Sequence, residues 1–171
     1  MLADDSRFSA RVVDELADAG WRQDRSIDIS AWMAELDAQG YRVSEVAAQA
    51  LRSFGGLSVG SAVVEGPNFS NDEPLTVDPI LAGSGHRALA EELERELGGN
   101  WYPFGEWLSS SSVFVRDDGW VVATGLGRIW ELGRTVDDAI EFAVMASHPL
   151  ECLKILAPGA KPWPPSARDS N

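Results

Sequence analysis

The chain has 171 residues, with 27 acidic side chains against 14 basic ones and a formal net charge of −13 at pH 7. That length predicts one domain, and a 44% hydrophobic composition excludes a disordered acidic tail. The negative balance, with no concentrated basic patch in the sequence, argues against direct nucleic-acid binding, because phosphates would be repelled.

Phe8, Val12, Leu16 and Ala19 recur on one face and predict a first helix that Gly20 ends. Ser30 is placed to cap a second helix, which carries Trp32, Met33 and Leu36 and ends at Gly40. Ser44 is placed to cap a third, whose Val46, Ala50, Leu51 and Phe54 face inward before Gly55 and Gly56. Val59, Ala62, Val63 and Val64 then predict a strand, broken by Gly66-Pro67-Asn68, and Leu75 to Val77 reads as another. Leu89, Leu93 and Leu97 form an apolar ridge opposite Glu91, Glu92, Glu94 and Glu96, on a helix that Gly98 and Gly99 stop.

Val113-Phe114-Val115 and Trp120-Val121-Val122 flank Asp117-Asp118-Gly119, the signal of a hairpin in which glycine supplies a positive φ. Gly125 to Gly127 bends the chain into a strand through Ile129, Trp130 and Leu132. Thr135, three residues before Asp138, opens a helix through Val136, Ala139, Ile140 and Val144 that Pro149 is expected to terminate. The expected fold is α+β. N-terminal helices precede a largely antiparallel sheet with an inserted helix and a closing C-terminal helix, a single domain over residues 1–157. Residues 158–171, with Pro158, Pro162, Pro164 and Pro165, are expected to form an extended or loosely ordered tail.

Met1 to Ser9 carries Asp4 and Asp5 and no apolar core of a leader, and no stretch nears the ~18 apolar residues of a membrane span, so a cytoplasmic protein with no membrane partner is expected. The single Cys152 excludes an internal disulfide framework and a cysteine-rich zinc site.

Gly56-Leu57-Ser58-Val59-Gly60 spells the G-x-S-x-G pattern of a hydrolase nucleophile, with His86 and His148 as the available bases. Such an elbow needs a strand before the serine and a helix after it, whereas here a helix comes first, so a helix end leading into a strand is the better reading. Gly125-Leu126-Gly127 begins like a dinucleotide fingerprint but meets Trp130 where the third glycine belongs. Neither histidine stands at metal-ligand spacing, so no metal and no cofactor is expected, although carboxylates distant in sequence remain able to assemble an oxygen site. Seven tryptophans are mostly core material, with one or two expected at a contact surface.

Several of these pieces, in order, resemble the third family of the SUKH superfamily of bacterial toxin-immunity domains. They are Ala19-Gly20-Trp21 ahead of Arg25, Leu51, Arg52 and Phe54 running into Gly55-Gly56-Leu57, and Tyr102-Pro103-Phe104-Gly105-Glu106. The hairpin around Asp118-Gly119, and Gly133 leading into Thr135-Val136-Asp137-Asp138-Ala139-Ile140, complete the series from Trp21 to Val144. The Pro-rich end and the run Ser109 to Ser112 depart from it.

The resemblance implies a non-enzymatic protein that binds and neutralises a cognate toxin, a nuclease or deaminase acting on nucleic acid, by stoichiometric occlusion. The negative charge suits a basic toxin, for which Asp72, Glu73, Glu91, Glu92, Glu94, Glu96, Asp117 and Asp118 are the candidate contacts. Catalytic residues are not implied. An intracellular scaffold or regulatory binding module, and a hydrolase using Ser58, are the other readings the residues leave open, and the oligomeric state is left undetermined.

Overall fold

Apolar spacing along the first segment buries Val12 and Leu16 on helix α1 (Ala10–Asp18), with Phe8 packed just ahead of it. The structure, a computed structural model, describes residues 7–60, 62–108 and 110–165; Asp4, Asp5, Ser109 and the end of the Pro-rich segment lie outside the described residues. Helix α2 (Ser30–Ala38) corrects the expected cap, because Ser30 is its first residue and the Asp28 carboxylate accepts the Ser30 N–H at 2.9 Å. Helix α3 (Glu45–Phe54) is capped by Ser44, whose hydroxyl accepts from Ala47 N–H at 3.2 Å. At its far end the Arg25 guanidinium donates to the carbonyls of Ser53 and Gly55, both at 2.7 Å, satisfying groups that a helix terminus leaves open.

The expected strand from Val59 to Val64 is two short ones, β1 (Ser58–Val59) and β2 (Val64–Glu65). Strand β2 forms a separate hairpin with β3 (Ser70–Asn71), and Gly66-Pro67-Asn68 lies in its turn. Asn68 ties that turn to the far end of the chain, exchanging hydrogen bonds with the Leu150 carbonyl and N–H at 3.1 and 2.9 Å. Strand β4 (Leu75–Thr76) leads into two inserted helices rather than one. The first is α4 (Pro79–Gly83), with proline in its first turn and Asp78 accepting from the N–H groups of Ile80 and Leu81; the second is α5 (Arg87–Leu97).

Strands β5 (Trp101–Trp107), β6 (Ser111–Arg116), β7 (Val121–Gly125) and β8 (Arg128–Gly133) follow, then α6 (Val136–Met145), where the Thr135 hydroxyl accepts the Asp138 N–H at 3.1 Å. Helix α6 ends before Pro149 is reached, at Ala146, whose φ of 48° is left-handed. The expected closing helix is α6, but it does not close the fold: a strand the sequence reading did not expect, β9 (Glu151–Ile155), follows it, antiparallel to β8. Its sequence alternates too weakly to announce it, and its pairing covers a β8 edge that would otherwise stand open.

Among the described residues the main sheet has seven antiparallel strands in the order β1-β4-β5-β6-β7-β8-β9. Residues 111–115 and 121–124 are all buried, so both faces of the sheet are covered. On one face α6 brings Phe142 against Trp107 and Phe69, at ring-centroid distances of 5.9 and 5.7 Å. On the other, α5 runs from the start of β5 toward β9, where Glu96 of the helix meets Lys154 at 3.9 Å. Residues 158–165 return along the sheet: the Lys161 carbonyl accepts from Arg128 Nε at 3.0 Å, and Trp163 packs edge-on to Trp130.

Candidate functional site

The four α5 glutamates do not form one uninterrupted negative face. Glu91 is exposed, but Arg95 stands between the flanks at helical spacing and reaches Glu92 at 3.9 Å. Glu94 is bound by Arg87 at 3.2 Å and Glu96 by Lys154 at 3.9 Å. The buried ridge under them is Ala90 and Leu93, with Leu97 half-buried.

Asp117 and Asp118 join the C-terminal end of this helix. The β6–β7 turn is held there by Arg116, which donates to the Leu97 carbonyl at 3.0 Å, and by Asp117 N–H donating to the Asn100 carbonyl at 3.0 Å. Arg116 also forks onto Asp118 with two hydrogen bonds of 2.9 and 2.6 Å. That fork, with the Trp120 N–H, holds the Asp118 carboxyl down at about 2, so it stays charged throughout the neutral range. Gly119, at φ 100°, supplies the backbone turn that lets Trp120 fold back.

Trp120 is the half-buried aromatic of this end. The guanidinium groups of Arg116 and Arg134 each lie 4.7 Å from its ring, and its Nε1–H donates to Glu131 at 2.9 Å. Beside the turn a cleft of about 500 Å³ opens toward α3 and the start of α6, lined by Asp118, Asp137, Arg7, Arg25 and Phe54 among others. Arg7 and Asp137 close part of it with a two-pronged pair at 2.6 and 2.9 Å. Sequence reading missed Arg7, Arg116, Arg134 and Asp137 as members of this end. Arg7 and Asp137 are 130 residues apart, and only the Asp117-Asp118-Gly119 turn signal marked the place.

Asp72 and Glu73 stand elsewhere. Thr76 pairs with Glu106 in antiparallel register, which carries the residues before β4 toward the Trp107 end of β5, while Asp117 adjoins the Trp101 end. The eight candidate residues therefore fall into a group of six and a separate pair.

The hydrolase constellation is not assembled. Ser58 lies exposed on β1 with its hydroxyl 3.5 Å from that of Thr76. His86 Nδ1 is 3.1 Å from the Ala82 carbonyl, and His148 is stacked on Phe142 at 4.0 Å with Nδ1 near the Pro149 carbonyl. Leu126-Gly127 is a two-residue hairpin loop, both residues at positive φ, and no nucleotide-binding helix follows. Among the described residues no three His, Cys, Asp or Glu side chains gather in a metal-binding geometry, and no helix is long and apolar enough to cross a membrane.

Compared with known protein families, residues 8–145 match the SUKH-3 immunity protein family. No curated protein and no solved structure matches the chain significantly.

Proposed function

From the premise that this chain belongs to the SUKH-3 immunity protein family, whose members are typically non-enzymatic and neutralise toxins, we propose that it binds its cognate toxin one to one and occludes the toxin's working surface. The toxin is a basic nuclease or deaminase acting on nucleic acid, and the complex forms in the cytoplasm, where that substrate is. The observation that carries this reading is the charge: −13 on a domain of 171 residues favours a basic partner over nucleic acid itself.

Docking uses the α5 glutamates with Asp117 and Asp118, because the β6–β7 turn is fastened to that helix end and Trp120 lies beside it as a partly exposed aromatic. Asp72 and Glu73 enter only if the footprint reaches the opposite end of the sheet. A toxin encoded beside this gene would be the test partner. Co-expression should preserve growth of sensitive cells, and the two proteins should purify as a 1:1 complex. In vitro, cleavage or deamination by the toxin should titrate to zero at equimolar immunity protein. Growth arrest despite co-expression counts against immunity, and an end point far below equimolar counts against occlusion.

A further inference from the structure

Tyr102 is 1% exposed, and its hydroxyl is buried without a hydrogen-bond partner. An unsatisfied buried hydroxyl costs about 1–3 kcal/mol, so its surroundings bear on function. Tyr102 lies at the start of β5, where β6 is on one side and β4, which pairs only at Glu106, does not reach the other. Helix α4 packs on that edge, with Gly83 against Pro103, and helix α2 with the segment after it borders a groove of about 330 Å³ that has Tyr102 in its lining.

Helix α2 lines the groove with Ser30, Met33, Ala34 and Asp37, whose spacing of three and four residues puts them on one face. Val43, 42% exposed, supplies another apolar wall. Tyr41 also lines it, but its hydroxyl is already committed, donating to the Gly83 carbonyl at 2.8 Å. Burial, reinforced by the negative charge of Asp37, pushes the Tyr102 phenol up to about 12, so it is neutral at physiological pH, and its oxygen, which has no protein donor, can accept a hydrogen bond.

We propose that this groove receives the side chain of a lysine or arginine, its alkyl stem against Met33, Ala34 and Val43 and its cation shared between the Tyr102 hydroxyl and the Asp37 carboxylate. An anion would meet Asp37 with like charge, and a purely apolar side chain would leave the hydroxyl unsatisfied. A basic side chain brings donors and no acceptor, which complements both groups, and its stem suits the walls. That the side chain belongs to the toxin rests on the reading above.

The test uses the full chain and butylammonium and butylguanidinium chloride as stand-ins for lysine and arginine, with neutral butylurea as control. The expected result is a saturable shift of the Tyr102 ring and Ala34 methyl NMR signals with a cation and none with butylurea; the tighter cation identifies the side chain. Asp37→Asn and Tyr102→Phe should each weaken that binding about tenfold, the loss expected of a charge-assisted contact. Tyr102→Phe should leave stability unchanged or raised, since its hydroxyl has no protein partner to lose. Absence of a saturable shift, or an equal response to butylurea, overturns the proposal.

With the toxin, both variants should raise Kd by a similar factor. If wild type binds toxin and neither variant changes Kd, the groove assignment falls and the toxin reading stands. If the groove binds butylammonium but no toxin binds the chain, the groove chemistry stands and the toxin reading falls. A concentration-dependent dimer abolished by Asp37→Asn would assign the groove to a second copy and overturn the toxin assignment.

Discussion

Asn71 is 3% exposed and answers two groups that would otherwise be buried without partners. Its Oδ1 accepts from Trp107 Nε1 at 3.1 Å, and its Nδ2 donates to the Ala143 carbonyl, one of the last four of α6 and so without a partner inside that helix. One amide therefore locks the β2–β3 hairpin to the sheet and to the helix above it. Asn71→Ala removes both bonds and leaves an indole N–H and a carbonyl unpaired, at a cost of about 2–4 kcal/mol. Urea unfolding followed by tryptophan fluorescence should show that loss as a lower midpoint; a change under about 1 kcal/mol would mean that water replaces the amide. Nothing in the local sequence marked the residue. Its partners lie 36 and 72 positions away, and its neighbours Ser70 and Asp72 are polar too, so no local pattern sets it apart.

At the scale of elements, what was legible had its cause within a few residues. Ser44 and Thr135 cap their helices through hydroxyls aimed three positions ahead, and the β6–β7 hairpin follows from Asp117-Asp118-Gly119 between two β-branched runs. One interior strand of the sheet was poorly legible. Strand β5 contains Pro103 and Gly105, which local rules treat as breakers. Proline is tolerated because β4 does not extend alongside it, and the register slips between Pro103 and Gly105 in a bulge. Gly105 is required by close approach, since a Cβ there would sit 2.1 Å from the Thr76 carbonyl oxygen. Gly105→Ala must push β4 away from β5, and the overpacking should cost about 1–3 kcal/mol. Because β4 carries β1 at the sheet's edge, faster hydrogen exchange should appear at Val59 and Leu75 before it appears at Val113 or Val122. Equal acceleration across all four would mean that the sheet opens as one unit.

For the molecule as a whole, local charge and net charge act differently. Arg87, Arg95 and Lys154 each meet one of the α5 glutamates, so much of the helix's charge is offset within a few ångströms, yet the domain still carries −13. Long-range attraction of a basic partner depends on the second quantity and short-range contact on the first, and the two separate kinetically. The Debye length is about 8 Å at physiological salt, so raising salt should slow association with the toxin while leaving dissociation nearly unchanged. Two double variants sharpen the distinction, because Glu91→Lys with Glu92→Lys, and Asp72→Lys with Glu73→Lys, alter net charge equally at opposite ends of β5. Both should slow association, by about tenfold at low salt, through the field they share. Only the α5 pair should also speed dissociation, because only that end is in contact once the complex has formed. Stopped-flow association and surface-immobilised dissociation measure the two rates independently. Faster dissociation from the Asp72 and Glu73 pair alone would move the docking surface to the Trp107 end of the sheet. Equal association rates in wild type and both variants would remove electrostatic steering from the account.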